Sequence, residues 1–171
     1  MSIPVTFEEY AAARGPSLLR FAYLTCRDRQ LAEDLVQEAL TKAYPHWGRV
    51  QRADNPEAYL RRIVLNQLLS WRRRRWWTQE SSTAEPPESP GPQRDVGDDH
   101  GDRDAVWRML GTLPPRQRAA LVLRYYEDLD DATIASVLGC SPATVRAHVS
   151  KASARLRETY DAATLTPGGQ S

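Results

Sequence analysis

Apolar positions along this chain recur three and four residues apart, the spacing of one face of an α-helix. Thr6-Phe7-Glu8-Glu9 has the form of a capping box, a hydroxyl at the N-cap with a carboxylate three residues on. The helix it starts carries Tyr10, Leu18, Phe21 and Ala22 inward, with Gly15-Pro16 as a candidate interruption. Asp28 can cap a second helix over residues 29–44, where Val36, Ala39, Leu40, Ala43, Tyr44 and Trp47 line up as an apolar stripe. Residues 45–56 show no period and read as a loop. Asn55-Pro56-Glu57 opens a third helix with proline at its first position, where no N–H is missed. Tyr59, Leu60, Ile63, Val64 and Leu68 form its apolar side, and Arg61, Arg62, Asn66 and Ser70 lie elsewhere. It ends in Trp71-Arg72-Arg73-Arg74-Arg75-Trp76-Trp77. Four consecutive arginines point to every side of a helix, so this end must project from the core.

The pattern lapses over residues 78–103, which hold Glu85-Pro86-Pro87-Glu88-Ser89-Pro90-Gly91-Pro92 and then Asp95, Asp98, Asp99 and Asp102. Proline, glycine, serine and acid without periodic apolar residues predict a flexible linker between two small helical domains. The expected boundaries are a first domain at 1–78, a linker at 79–101, a second domain at 102–164 and a disordered tail at 165–171. Helical pattern resumes near 104–110 and over 115–126.

Two short helices follow. Leu129, Asp130 and Ile134 fit a hydrophobic staple around an N-cap, and Ile134, Val137 and Leu138 share a face. Gly139 can take the left-handed conformation that ends the first helix, and Ser141-Pro142 starts the second. This is the helix-turn-helix pattern. Val145, Val149, Ala152 and Leu156 are left for packing, while Ser141, Thr144, Arg146, Ala147, His148 and Lys151 fall on other faces, a composition suited to a DNA major groove.

Net charge is +1, which says nothing about partners until it is mapped along the chain: residues 1–78 carry +5, 79–104 carry −6 and 105–171 carry +2. Two basic blocks flank an acidic one. Arginines 72–75 beside Trp71, Trp76 and Trp77 suit either a solvated helix end or a nucleic-acid contact, with guanidiniums for phosphates and rings for unpaired bases. Asp34, Gln37, Glu38 and Thr41 form a polar stripe that is equally readable as a solvated face. Cys26 and Cys140 are far apart, and His46, His100 and His148 are isolated, so neither a disulfide framework nor a metal cluster is expected. No nucleophile elbow, phosphate loop or paired carboxylates mark a catalytic site, and no cofactor is implied. With no membrane-length apolar run and no signal-peptide pattern, a cytoplasmic protein without membrane insertion is expected.

Four segments together resemble the sigma-70 factors of bacterial RNA polymerase, in particular the short extracytoplasmic-function group (group 4) and its actinobacterial SigE-like family. They are LAEDLVQEALTKAY, NPEAYLRRIVLNQLLSWRRRRWW, LPPRQRAALVLRYYEDL and IASVLGCSPATVRAHVSKASARLR. The resemblance implies an all-α protein with sigma region 2, an acidic linker and sigma region 4, and a non-enzymatic role in promoter-specific initiation. The matched positions Asp34, Leu35, Gln37 and Glu38 would dock on the β′ clamp helices of core polymerase, and residues 113–125 would meet the β flap. Arg49, Asn55, Arg61, Arg62, Asn66, Trp71, Arg72, Arg73, Arg74 and Arg75 would melt and hold the −10 element. Ser141, Thr144, Arg146, Ala147, His148, Ser150, Lys151 and Arg155 would read the −35 element. Thr133 stands where many relatives carry Glu, and Ala143 where many carry Gly, while His148 and Ser150 fall at variable positions, so a promoter sequence cannot be copied across. An anti-sigma factor is a partner the resemblance leaves open. A response-regulator output domain of the LuxR type also carries such a recognition helix, but it would need a receiver or ligand domain upstream, and residues 1–78 show no βα pattern.

Overall fold

The computed structural model describes residues 5–80 and 100–165, and every one of its regular elements is helical. The first half contains α1 (Phe7–Cys26), α2 (Arg29–Ala43), a 3₁₀ turn (Tyr44–His46), α3 (Trp47–Arg52) and α4 (Pro56–Glu80). The second contains α5 (His100–Gly111), α6 (Pro115–Leu121), a π-helical turn (Val122–Tyr126), α7 (Asp131–Leu138) and α8 (Pro142–Thr164). The linker residues 81–99 and the tail from 166 lie outside the described residues.

Capping chemistry sets the helix starts where the sequence predicts. Thr6 Oγ1 accepts from the Glu9 N–H at 3.2 Å while Glu9 Oε2 accepts from the Thr6 N–H at 2.9 Å, a complete capping box. Asp28 Oδ1 accepts from Leu31 N–H at 3.0 Å, Asn55 Oδ1 from Ala58 N–H at 3.0 Å, Asp130 Oδ1 from Thr133 N–H at 2.7 Å and Ser141 Oγ from Thr144 N–H at 3.2 Å. Gly139 ends α7 at φ +67°, the left-handed geometry that favours glycine.

Two expectations are revised. Pro16 does not interrupt α1, which runs unbroken to Cys26. Its ring lies on the exposed side, and burial of Leu18, Phe21, Ala22 and Thr25 just beyond it outweighs one lost backbone bond. The segment read as a loop is helical from Tyr44 to Arg52. Only Val50 is fully buried there, too little for a visible period. Its order comes from aromatic contacts with α1: Phe7 meets Tyr44 at 5.0 Å and Trp47 at 5.6 Å, and Tyr10 meets Trp47 at 4.8 Å. Tyr44 therefore stays exposed on the rim instead of joining the buried stripe.

The two halves also pack on one another. Leu18, Phe21, Leu35, Leu60, Val64 and Leu68 from the first half and Leu123, Ile134, Val137 and Val145 from the second belong to one contiguous buried cluster. α4 packs on α7, and α1 packs on α6 and the π-helical turn. Tyr23 stacks on Trp107 across the seam at 4.8 Å.

Candidate nucleic-acid and polymerase interface

α8 presents its polar side as a ready-made reading face. Val145, Val149 and Ala152 are buried against α6 and α7, which fixes the helix rotation and leaves Ser141, Thr144, Arg146, Ala147, Ser150, Lys151 and Arg155 exposed. Arg116 donates to the Leu138 carbonyl at 2.8 Å and so ties α6 to the turn between the two helices. Arg146 Nη1 lies 3.3 Å from Asp131 Oδ2 in the first turn of α7, and Arg124 pairs with the other oxygen of the same carboxylate. Asp131 thus holds Arg146 in place while leaving it largely in solvent. His148 is half-buried, and burial, with Arg116 and Lys151 adding repulsion, lowers its pKa from the ordinary value of 6.5.

α4 carries the second cationic surface. Arg72, Arg73, Arg74, Arg75, Trp76 and Trp77 are exposed, as a projecting end requires, and Asn66 is exposed further back along the helix. Trp71 is half-buried, with the Arg75 guanidinium over its ring at 5.1 Å. Arg49 is exposed on α3, and Asn55, though exposed, has its side-chain oxygen engaged in capping α4. Arg62 is exposed and lies against Gly139 of the second half: a Cβ there would stand 3.3 Å from its Nη2.

Arg61 does not stand free as the sequence suggests. It is 4% exposed and bridges two carboxylates, Glu57 at 3.3 Å and Glu127 of the second half at 2.8 Å. Leu35 is likewise 3% exposed and sits in the core, because it shares the face of Ala32, Val36 and Ala39. Asp34, Gln37 and Glu38 are the exposed members of that segment. Gln30 donates to Asp34 at 3.3 Å and Lys42 pairs with Glu38 at 3.4 Å, so the acidic face is partly ordered in advance.

Several interface residues escaped the sequence reading. Arg118 is 3% exposed and donates to three carbonyls: Leu110 at 2.8 Å, Leu113 at 2.9 Å and, across the seam, Thr25 at 2.5 Å. Burial, reinforced by Arg72 and Arg27, pushes its pKa down to about 10. Arg27 caps α1 at φ 62° and lays its guanidinium over Trp107 at 5.1 Å. Helical spacing cannot announce the Thr25 and Trp107 contacts, since each joins residues far apart in the chain.

Among the described residues no group of His, Cys, Asp or Glu could hold a metal ion, and no helix is long and apolar enough to cross a membrane. What the geometry offers is two cationic helical surfaces and one acidic one on an all-helical frame.

Comparison with known proteins agrees with that arrangement. Residues 11–78 match sigma-70 region 2 and residues 103–156 match sigma-70 region 4. An RNA polymerase sigma-E factor of Streptomyces coelicolor is 38% identical over 89% of this chain and 84% of its own length. The ECF RNA polymerase sigma factor SigE of Mycolicibacterium smegmatis is 29% identical over 90% of this chain and 61% of its own. Among solved structures, the sigma factor RpoE of Bartonella quintana, determined with the anti-sigma factor NepR, superposes with a TM-score of 0.79 at 27% identity, covering 91% of this chain and 96% of that one. The chain belongs to the sigma-70 family, whose regions 2 and 4 serve promoter recognition in transcription initiation. Within that family it is an extracytoplasmic-function sigma factor of the SigE type.

Proposed function

We propose that this sigma factor binds core RNA polymerase through the exposed acidic face of α2 and directs it to promoters with the two cationic helices. Asp34, Gln37 and Glu38 meet the β′ clamp helices, while the surface around α6 faces the β flap. α4 holds the −10 element: Asn66 addresses an unstacked base, and arginines 72–75 grip flanking phosphates beside Trp76 and Trp77. α8 enters the major groove at the −35 element, where Arg146 and Lys151 carry most of the contact and Ser141 and Thr144 position the helix on phosphates. The work is non-enzymatic and takes place in the cytoplasm, where polymerase and chromosome are. The Bartonella relative was determined with an anti-sigma factor, and control of this chain by a protein of that kind fits the same reading.

The single observation that supports it best is the α8 surface: its inward face is buried to completion at Val145 and Ala152, so its polar face has one fixed orientation. The test is run-off transcription with purified core polymerase on a panel of single-base −35 variants, comparing wild type with Arg146→Ala and Lys151→Ala. A base-reading arginine loses about 1–3 kcal/mol at one promoter position, and a phosphate-binding lysine weakens all sequences alike. Full activity with unchanged base preference in both variants refutes the assignment of this face.

A further inference from the structure

Arg146 leaves α8 directly after Val145, whose complete burial fixes the backbone at that point. Its side chain reaches across the turn to α7, where Nη1 donates to Asp131 Oδ2 at 3.3 Å. Asp131 is the first residue of α7 and follows Asp130, whose carboxylate accepts from the Thr133 N–H at 2.7 Å and caps the helix. One acid therefore does the capping, and its neighbour is left to receive arginines.

A second arginine reaches Asp131 from the π-helical turn. There the Glu127 N–H donates to the Val122 carbonyl, five residues back, at 3.0 Å. Wide turns of this kind are frequent at functional sites, and this one holds Arg124, which pairs with Asp131 Oδ1. The shared carboxylate is 28% exposed, Arg124 30% and Arg146 61%, so Arg146 is the outermost member. Two cations on one anion leave the group a net positive charge, which attracts DNA rather than repelling it.

As a contribution to folding, an ion pair this exposed is weak. Its effect is on aim. A guanidinium has five N–H donors in a planar fork, and one hydrogen bond to Asp131 restricts the plane while leaving donors for the paired acceptors O6 and N7 of guanine. An untethered arginine at the same place would take phosphates as readily, and phosphate contacts carry no sequence information.

We propose that Asp131 is a positioning residue for promoter recognition: it aims Arg146 at a base edge and so sets a preference for guanine at one −35 position. The proposal rests on the reading of α8 as the −35 helix. Arg124 steadies the carboxylate from its other oxygen, and Asp131 itself touches no DNA.

The test is run-off transcription by holoenzyme reconstituted from core polymerase and the full-length chain, on duplex templates randomised across both promoter elements. Transcribed templates are sequenced for wild type, Asp131→Asn, Asp131→Ser, Arg146→Ala and the double variant Asp131→Asn with Arg146→Ala. Wild type should favour guanine at one −35 position, and Arg146→Ala should abolish that preference. Asp131→Asn should lower it by about fivefold or more at that position alone, and should add nothing to Arg146→Ala in the double variant. Circular dichroism reports folding, and Asp131→Ser decides should the Asn variant not fold. A wild-type guanine preference in the Asp131 variants, a loss spread evenly over all positions, or losses in the double variant beyond those of Arg146→Ala would each overturn the positioning role. If Arg146→Ala loses the preference while the Asp131 variants keep it, the −35 reading stands and only the role of Asp131 is refuted. If Arg146→Ala itself leaves every −35 preference unchanged, the reading of this face fails and the proposal fails with it.

Discussion

Removing the Arg118 side chain tests how a buried cation holds this fold together. Its guanidinium donates to the carbonyls of Leu110, Leu113 and Thr25; Arg118→Met leaves those of Leu113 and Thr25 without that partner, while Leu110 still accepts from the Leu113 N–H at 3.2 Å. Each unpaired buried acceptor costs about 1–3 kcal/mol. Against this, holding the charge there is itself unfavourable: the pKa falls from 12.5 to about 10. At about 1.4 kcal/mol for each tenfold change in proton affinity, the methionine recovers about 3 kcal/mol. With two acceptors unpaired the hydrogen-bond loss prevails only narrowly at the middle of its range, and the net effect is a destabilisation of about 1 kcal/mol. Arg118→Lys keeps the charge but supplies a compact point donor in place of a planar fork, so it should recover only part of the loss. The assay is urea unfolding followed by far-UV circular dichroism and by the fluorescence of the five tryptophans, Trp107 at the seam among them. Because Thr25 ends α1 while Leu110 and Leu113 flank the start of α6, the loss should appear in both signals. An Arg118→Met variant no less stable than wild type, or a Lys variant as unstable as the Met one, would refute the idea that this fork ties three carbonyls.

Three other outcomes follow from the same coordinates. Gly139→Ala forces a Cβ into left-handed backbone and toward Arg62, and should lower stability by about 1–2 kcal/mol in denaturant titration; an unchanged midpoint would show that the turn relaxes. His148 has a folded pKa below its ordinary 6.5, so the unfolded chain binds the extra proton first as pH falls, and stability should decline below about pH 6.5. That decline should be smaller in His148→Gln, and an identical pH profile would reject the assignment. Asp34→Arg with Glu38→Arg should leave helicity intact yet weaken binding to core polymerase by several kcal/mol, since repulsion replaces a complementary contact; unchanged affinity would remove α2 from the interface.

Much of the second half was legible because its signals are local. Asp130, Gly139 and Ser141-Pro142 act on backbone groups within a few residues, and each stands where the sequence predicts. Val145, Val149 and Ala152 fall on one face through the helical period alone, so the opposite face of α8 followed without tertiary information. The failures have two causes. Residues 44–52 are ordered by rings of α1 that precede them by some forty residues, and no period within the segment records that. Leu35 was carried into the polymerase-facing group with its polar neighbours, although the spacing of Ala32, Val36 and Ala39 already places it inside.

The sequence by itself determined most of the helices, their caps and turns, the helix-turn-helix and the family, because these depend on interactions within a turn or two of helix or on residue order. Only the tertiary structure decided that the halves dock, that Arg61 is neutralised by Glu127 and that Arg118 is enclosed by three carbonyls. An arginine carries the same charge and the same helical spacing whether it faces water, a phosphate or a carboxylate. Which of these it meets is set by the packing of α4 on α7 and of α1 on α6, and that packing joins residues some 65 to 95 positions apart, 66 for Arg61 with Glu127 and 93 for Thr25 with Arg118.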